Sequence, residues 1–275
     1  MNTQNLGVLA INSLPSNGNA GLKMVISVLG TLVIPVPSVI LSGIGSMRHL
    51  TGFTRLELAF EDLLEGSLQI ARQRKQALIL YVGYLGHHEQ ILTILGLLDQ
   101  YRDQIKYIFV DPVCGDNGKP YVSEEIIQHW PLLLAKADLA IPNLTEVALL
   151  AGHRQGIVKE QSDVYVEEFR QKFPNLDFVA TSMSQSDELI NRLYQTGKET
   201  NFHHFLHPGN YSGSGDAFAS LFLYFHFFKG YSLNQSLQKA GDVMADLIRE
   251  SLTLQSEDLI IQHGFNMKHE DYFDS

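Results

Sequence analysis

The chain has 275 residues, 45% of them hydrophobic and 18% charged, a composition that supports one sizeable α/β domain and fits neither a disordered nor a fibrous protein. A formal net charge of −10 argues against general nucleic-acid binding, so any anion site must be built locally from amides or a metal. The single cysteine, Cys114, excludes an internal disulfide, and no apolar run approaches the roughly 20 residues needed to span a bilayer.

The polar start Met1–Asn5 and the short apolar run behind it do not form a signal peptide, which makes a cytoplasmic location the expectation. In chain order, a strand at Leu6–Ile11 leads to a helix at Ala20–Leu29, then a strand at Thr31–Leu41 and a helix at Arg55–Arg74. Further pairs follow: Gln76–Tyr84 with Glu89–Tyr101, Tyr107–Val110 with Glu124–Lys136, and Leu139–Ile141 with Thr145–Ala151. Val164–Phe173 then precedes a strand at Phe178–Thr181. Strand–helix alternation of this kind predicts a mostly parallel sheet with helices on both faces. After Thr181 the pattern changes to two antiparallel strands, Glu188–Gln195 and Thr200–Leu206, joined by a turn at Thr196-Gly197-Lys198. Three helices close the chain at Asp216–Phe228, Leu233–Glu250 and Ser256–His263. No repeat, low-complexity tract or long linker interrupts residues 1–275, which predicts one domain.

Ligands of open α/β sheets gather beyond the C-terminal strand ends, so the polar residues there carry the functional reading. The run Gly213-Ser214-Gly215-Asp216 puts a carboxylate at the opening of an apolar helix, where backbone N–H groups and the macrodipole favour an anion such as phosphate. Asp216 could equally be a simple helix cap. Asp111-Pro112-Val113-Cys114-Gly115-Asp116-Asn117-Gly118 places two carboxylates in a glycine-punctuated loop, suited either to Mg²⁺ or to a plain turn. Asn143-Leu144-Thr145-Glu146 opens a helix with a capping-box spacing at the same sheet edge. No Gly-x-x-x-x-Gly-Lys-Ser/Thr occurs, and the histidines lack metal-ligand spacing, so ordinary packing or exposure explains them.

Taken with Gly83-Tyr84-Leu85-Gly86, Thr181-Ser182, Pro208-Gly209 and the closing Glu270-Asp271-Tyr272-Phe273, these motifs resemble the pyridoxal/pyridoxine kinases of the ribokinase superfamily. The resemblance implies a ribokinase-like fold and an ATP- and Mg²⁺-dependent homodimer, with a monovalent cation as a further candidate requirement. Such an enzyme phosphorylates the hydroxymethyl group of pyridoxal, pyridoxine or pyridoxamine. By the same resemblance Asp216 is the general base, and the amides of Gly213, Ser214 and Gly215 form an anion hole. Asp111, Asp116, Asn143, Thr181 and Ser182 meet the nucleotide; Glu146, Asp111 and Asp116 attend the metal, Glu146 with Asn143 through water. Ser13 and Tyr84 contact the acceptor ring, and Phe205 and Leu206 line the adenine pocket.

Three departures stand out. Ser42-Gly43-Ile44-Gly45-Ser46 replaces an Asn-His-Thr stretch, so Gly45 stands where the family has a substrate-binding threonine; an unpaired ring group there costs about 1–3 kcal/mol. Asn12 takes a position often acidic in related bacterial kinases, and Cys114 one where methionine is usual. Two other readings stay open: a hydroxymethylpyrimidine kinase of thiamine synthesis, and a non-catalytic vitamer- or nucleotide-binding relative.

Overall fold

In the computed structural model, which describes residues 5–185, 188–205, 211–256 and 258–261, the expected alternation becomes a nine-stranded sheet. The strands in chain order are β1 (Leu6–Pro15), β2 (Val33–Leu41), β3 (Arg55–Leu56), β4 (Ala77–Val82), β5 (Ile105–Val110), β6 (Gly115–Asp116), β7 (Lys119–Pro120), β8 (Leu139–Ala140), β9 (Asp177–Gln185), β10 (Glu188–Gln195) and β11 (Lys198–Phe205). Their order across the sheet is β11-β10-β9-β8-β5-β4-β1-β2-β3, with β6 and β7 forming a separate hairpin. The six strands from β9 to β2 run parallel, and β10, β11 and β3 are antiparallel additions at the two edges.

Helices α1 (Leu22–Leu29), α2 (Phe60–Gln73), α3 (Glu89–Gln100), α4 (Glu124–Leu134), α5 (Leu144–Ala151), α6 (Ser162–Lys172), α7 (Ser214–Leu223) and α8 (Leu233–Thr253) cover both faces. Strand β1 shows why its first half, Leu6–Ile11, is apolar. Val8 and Ala10 enter the core shared with α1, α7 and α8, while Leu9 and Ile11 enter the core shared with α2 to α6. A parallel strand buried on both faces has no polar side to show. The apolar run behind Asp216 follows the same logic: Phe218, Leu221 and Phe222 are sealed against the sheet, each burial contributing about 1.5–3 kcal/mol.

Several expected boundaries move. Strand β1 continues past Ile11 to Pro15, and β9 past Thr181 to Gln185, so Asn12, Ser13, Thr181 and Ser182 lie within strands. The expected helix at Arg55–Arg74 begins only at Phe60; Arg55 and Leu56 instead pair with Leu41 and Ile40 as an edge strand. Helix α7 opens at Ser214 with Gly213 as its N-cap, and its continuation at Tyr224–Phe228 widens into a π-helical turn. The helix expected at Ser256–His263 is not found in its described part. Residues 258–261 are irregular, and they fold back so that Ile260 N–H donates to Ser251 Oγ and Leu259 is wholly buried. Leu206, Pro208-Gly209 and the Glu270–Phe273 motif lie outside the described residues.

Candidate active site

A cleft of about 550 Å³ opens at the C-terminal ends of the parallel strands, where an open α/β sheet places its ligands. Asn12, Ser13, Gly45, Tyr84, Asp111, Asp116, Asn143, Glu146, Thr181, Ser182 and Gly213 to Asp216 all line it. The topology therefore gathers these residues, with Phe205, around one volume.

Asp216 is not a helix cap. It occupies the third position of α7, and its carboxylate reaches across to β1 and the connection behind it. Oδ1 accepts from the Asn12 carboxamide at 2.7 Å, and Oδ2 accepts from the Gly21 backbone N–H at 2.7 Å. Gly21 has φ +56, and a Cβ there would lie 2.2 Å from the Ser13 carbonyl oxygen, so only glycine presents its amide this way. Burial raises the Asp216 pKa above the ordinary carboxylate value; the Gly21 and Asn12 donors oppose that rise.

At the turn before α7, Gly213 adopts φ +83 and sits against the Asn19 carbonyl, where a Cβ would come within 2.1 Å. Of the three amides expected to form an anion hole, Ser214 N–H bends back to the Tyr211 carbonyl at 3.2 Å. The N–H groups of Gly213 and Gly215 have no partner among the described residues and remain available to an anion.

The acidic side of the cleft divides into one open and two engaged carboxylates. The carboxylate of Asp111, just after β5, meets no hydrogen-bond donor among the described residues, and burial together with the Asp216 charge pushes its pKa well up. Glu146 is fully engaged: Oε2 accepts from Asn143 N–H at 2.8 Å and Oε1 from Cys114 N–H at 3.1 Å. Burial first, then the Asp111 charge, raises its pKa despite those donors. Asp116 is exposed, and its two oxygens accept from Asn117 N–H at 2.8 Å and Asn117 Nδ2 at 2.9 Å. Asn117 and Gly118 both have positive φ, as a two-residue hairpin turn requires. Asp116 thus holds the β6–β7 turn, and no group of three or more acidic, histidine or cysteine side chains that could hold a metal occurs among the described residues.

That chemistry still fits Mg²⁺, which is commonly held by one or two carboxylates plus phosphate oxygens and water. The Asn143 side chain is also occupied. It closes the capping box by accepting from Glu146 N–H at 3.0 Å and donates to the Gly115 carbonyl at 2.9 Å. With Thr145 Oγ1 accepting from Gly118 N–H at 2.9 Å, it pins the β6–β7 hairpin beside the cleft.

Thr181 and Ser182 stand at a bulge where two residues of β9 oppose Asn191 of β10. Ser182 has φ +61, and its N–H donates to Asn191 Oδ1 at 3.3 Å. A non-glycine residue held in this conformation is a strained position of the kind found at ligand sites. Elsewhere in the cleft, Tyr84 is anchored through its backbone: its N–H donates to Asn12 Oδ1 at 3.2 Å and its carbonyl accepts from Ser38 Oγ at 2.7 Å. Gly45 lies exposed in a short 3₁₀ turn, with nothing within 4 Å of where a Cβ would stand.

Sequence reasoning missed the Asn12–Asp216 pair, Gly21, and the bridge at the cleft rim in which Arg48 Nη1 donates to the Tyr121 carbonyl at 3.3 Å. No local signal could have found the first, whose members stand 204 residues apart. Of the histidines singled out in the sequence, His204 is buried against Gly241 with Nδ1 on Asp242 and His203 pairs with Glu188, while His207 lies outside the described residues.

A family model described as phosphomethylpyrimidine kinase matches residues 51–262. The chain belongs to this kinase family. A Schizosaccharomyces pombe protein provisionally named a pyridoxal kinase is 28% identical over 223 residues, covering 78% of this chain and 72% of its own. The pyridoxal kinase of Dictyostelium discoideum is 26% identical over 270 residues, 89% of this chain and 86% of that one. Among solved structures, pyridoxal kinase from Leishmania donovani in complex with ADP and pyridoxamine has the same fold. It matches with a TM-score of 0.75 at 22% identity, over 91% of this chain and 88% of its own. The family membership agrees with the position of the cleft at the parallel strand ends. Among the described residues no helix is long and apolar enough to cross a membrane.

Proposed function

We propose that this kinase phosphorylates the hydroxymethyl group of a vitamin B6 ring with ATP as donor. One observation carries the reading: the Asp216 carboxylate is turned into the cleft and held by two donors at the start of α7, beside the unpaired amides of Gly213 and Gly215. In the reaction, the acceptor hydroxyl gives its proton to Asp216 as its oxygen forms a bond to the γ-phosphorus. The bond between that phosphorus and the β–γ bridging oxygen breaks, and ADP leaves with the electron pair. The Gly213 and Gly215 N–H groups take up charge on the transferred group, and positioning does most of the work.

Asp111 would hold Mg²⁺ with the nucleotide phosphates, and Glu146 would act through water, its own oxygens being committed to backbone amides. When bound, the ion neutralises phosphate charge. Thr181 and Ser182 border the phosphate chain, and Asp116 and Asn143 serve it by shaping the hairpin beside it. Ser13 and Tyr84 wall the acceptor ring, with the Gly45 turn at its outer side. The names of the Dictyostelium and fission-yeast relatives, and the ADP and pyridoxamine in the Leishmania enzyme, support this substrate class.

The description of the matched family favours a second reading, in which the acceptor is a hydroxymethylpyrimidine. Purified protein with ATP and Mg²⁺ is to be given pyridoxal, pyridoxine and hydroxymethylpyrimidine in parallel, with product separated by chromatography. Pyridoxal or pyridoxine phosphate as the main product supports the B6 reading, and a phosphorylated pyrimidine alone replaces it. Thermal stabilisation by vitamer or nucleotide with no phosphorylated product marks a binding protein.

A further inference from the structure

Asn12 is buried near the end of β1, and its hydrogen bonds permit one orientation of the carboxamide. Oδ1 accepts from the backbone N–H groups of Ser13 at 2.8 Å and Tyr84 at 3.2 Å. Nδ2 is therefore turned toward Asp216, donating to Oδ1 at 2.7 Å. Its partners come from three separate parts of the chain: β1 itself, the connection after β4, and α7. Ser13 and Tyr84 are the proposed walls of the acceptor ring, and Asp216 is the proposed base.

We propose that Asn12 is a positioning residue that holds the base in register with the walls of the acceptor site, an inference that rests on the kinase reading above. The role needs a side chain that accepts on one side and donates on the other. Asparagine does both at this length. An aspartate would keep the two backbone bonds and turn a second carboxylate toward Asp216. A leucine of similar volume would leave the Ser13 and Tyr84 amides unpaired as well.

Gly83 supplies an independent handle on the same geometry. A Cβ at this position would lie 2.3 Å from Asn12 Nδ2 and 2.9 Å from Asn12 Cγ. Gly83 is not among the residues of positive φ, so alanine there suits the backbone, and its nearest contacts all fall on Asn12. The first glycine of the Gly83-Tyr84-Leu85-Gly86 motif is thus the space into which the amide fits.

The test compares kcat, KM for ATP and KM for the acceptor in the wild type, Asn12→Asp, Asn12→Leu, Gly83→Ala and Asp216→Asn, with a melting curve for each. In Asn12→Asp and Gly83→Ala, kcat should fall about 10–100-fold, since a misplacement near 1 Å can cost about 10²-fold. KM for ATP should stay within about twofold, because Asn12 touches none of the nucleotide-side groups. A purely structural role would instead lower the melting temperature and the active fraction without this split. Should Asn12→Leu fail to fold, the near-isosteric Asn12→Asp and the neighbouring Gly83→Ala still decide. Both variants keeping kcat within about threefold of wild type while Asp216→Asn is inactive would overturn the inference and leave the kinase reading standing. An Asp216→Asn variant as active as the wild type removes the base assignment itself, and the inference with it.

Discussion

Asp216 and Gly45 line the same cleft but are built on different terms. The carboxylate is half-buried, and each of its oxygens is held by a donor from β1 or the turn behind it. Gly45 is exposed, carries no side chain, and has open space where one would stand. On the proposed reading, the reaction geometry is locked by parts distant in the chain, while acceptor choice rests on an edge that substitutions can enter freely.

The largest expected break in that contrast is at the locked end. Gly213→Ala combines a left-handed φ with a Cβ 2.1 Å from the Asn19 carbonyl. It should cost about 2 kcal/mol or more, lower the melting temperature by roughly 4–8 °C, and reduce kcat on the order of 10²-fold by displacing an anion-hole amide. Calorimetry and steady-state kinetics on the same sample would check both.

Asp111→Asn should separate stability from activity. The folded-state pKa of Asp111 is raised, so the penalty for its charge is absent below the unfolded carboxylate value and grows as pH rises through the folded one. Above the unfolded carboxylate value, the cost of ionising this buried group opposes folding of the ligand-free protein. Removing its charge should raise the melting temperature by about 2–4 °C for each kcal/mol recovered, while kcat falls on the order of 10²-fold. A lowered melting temperature would contradict the account. The pH dependence of kcat/KM sharpens the same point: with the Asp216 pKa raised, activity should fail on acidification above the ordinary aspartate range.

The smallest stability effect belongs to the open end. Gly45→Thr has room for its side chain and should shift the melting temperature by less than about 2 °C. Its effect should appear in KM for the acceptor, with KM for ATP unchanged. A variant that loses ATP affinity would show that the turn serves the nucleotide instead.

Much of the fold was legible because long apolar runs and periodic helices leave few alternatives. The parallel strands and the antiparallel additions at Glu188–Gln195 and Lys198–Phe205 follow from that pattern. Arg55–Leu56 was not legible: two exposed residues carry no periodicity, and only pairing with Ile40 and Leu41 makes them a strand. The motifs identified the cleft residues but not which of their atoms are free. Asp116 and Asn143 look like ligands in a motif; in the structure their side chains are occupied by a turn and a hairpin anchor. Asn12 gave no hint of its partner, because its meaning depends on α7 folding back beside β1.

The most direct test of the central claim is a single-turnover measurement of phosphoryl transfer to pyridoxal by the wild type and Asp216→Asn, with ATP binding followed calorimetrically. The account predicts ATP binding within a few-fold of wild type and transfer slowed by about 10²–10⁴-fold, the usual contribution of a positioned general base. Transfer at the wild-type rate in Asp216→Asn would contradict it.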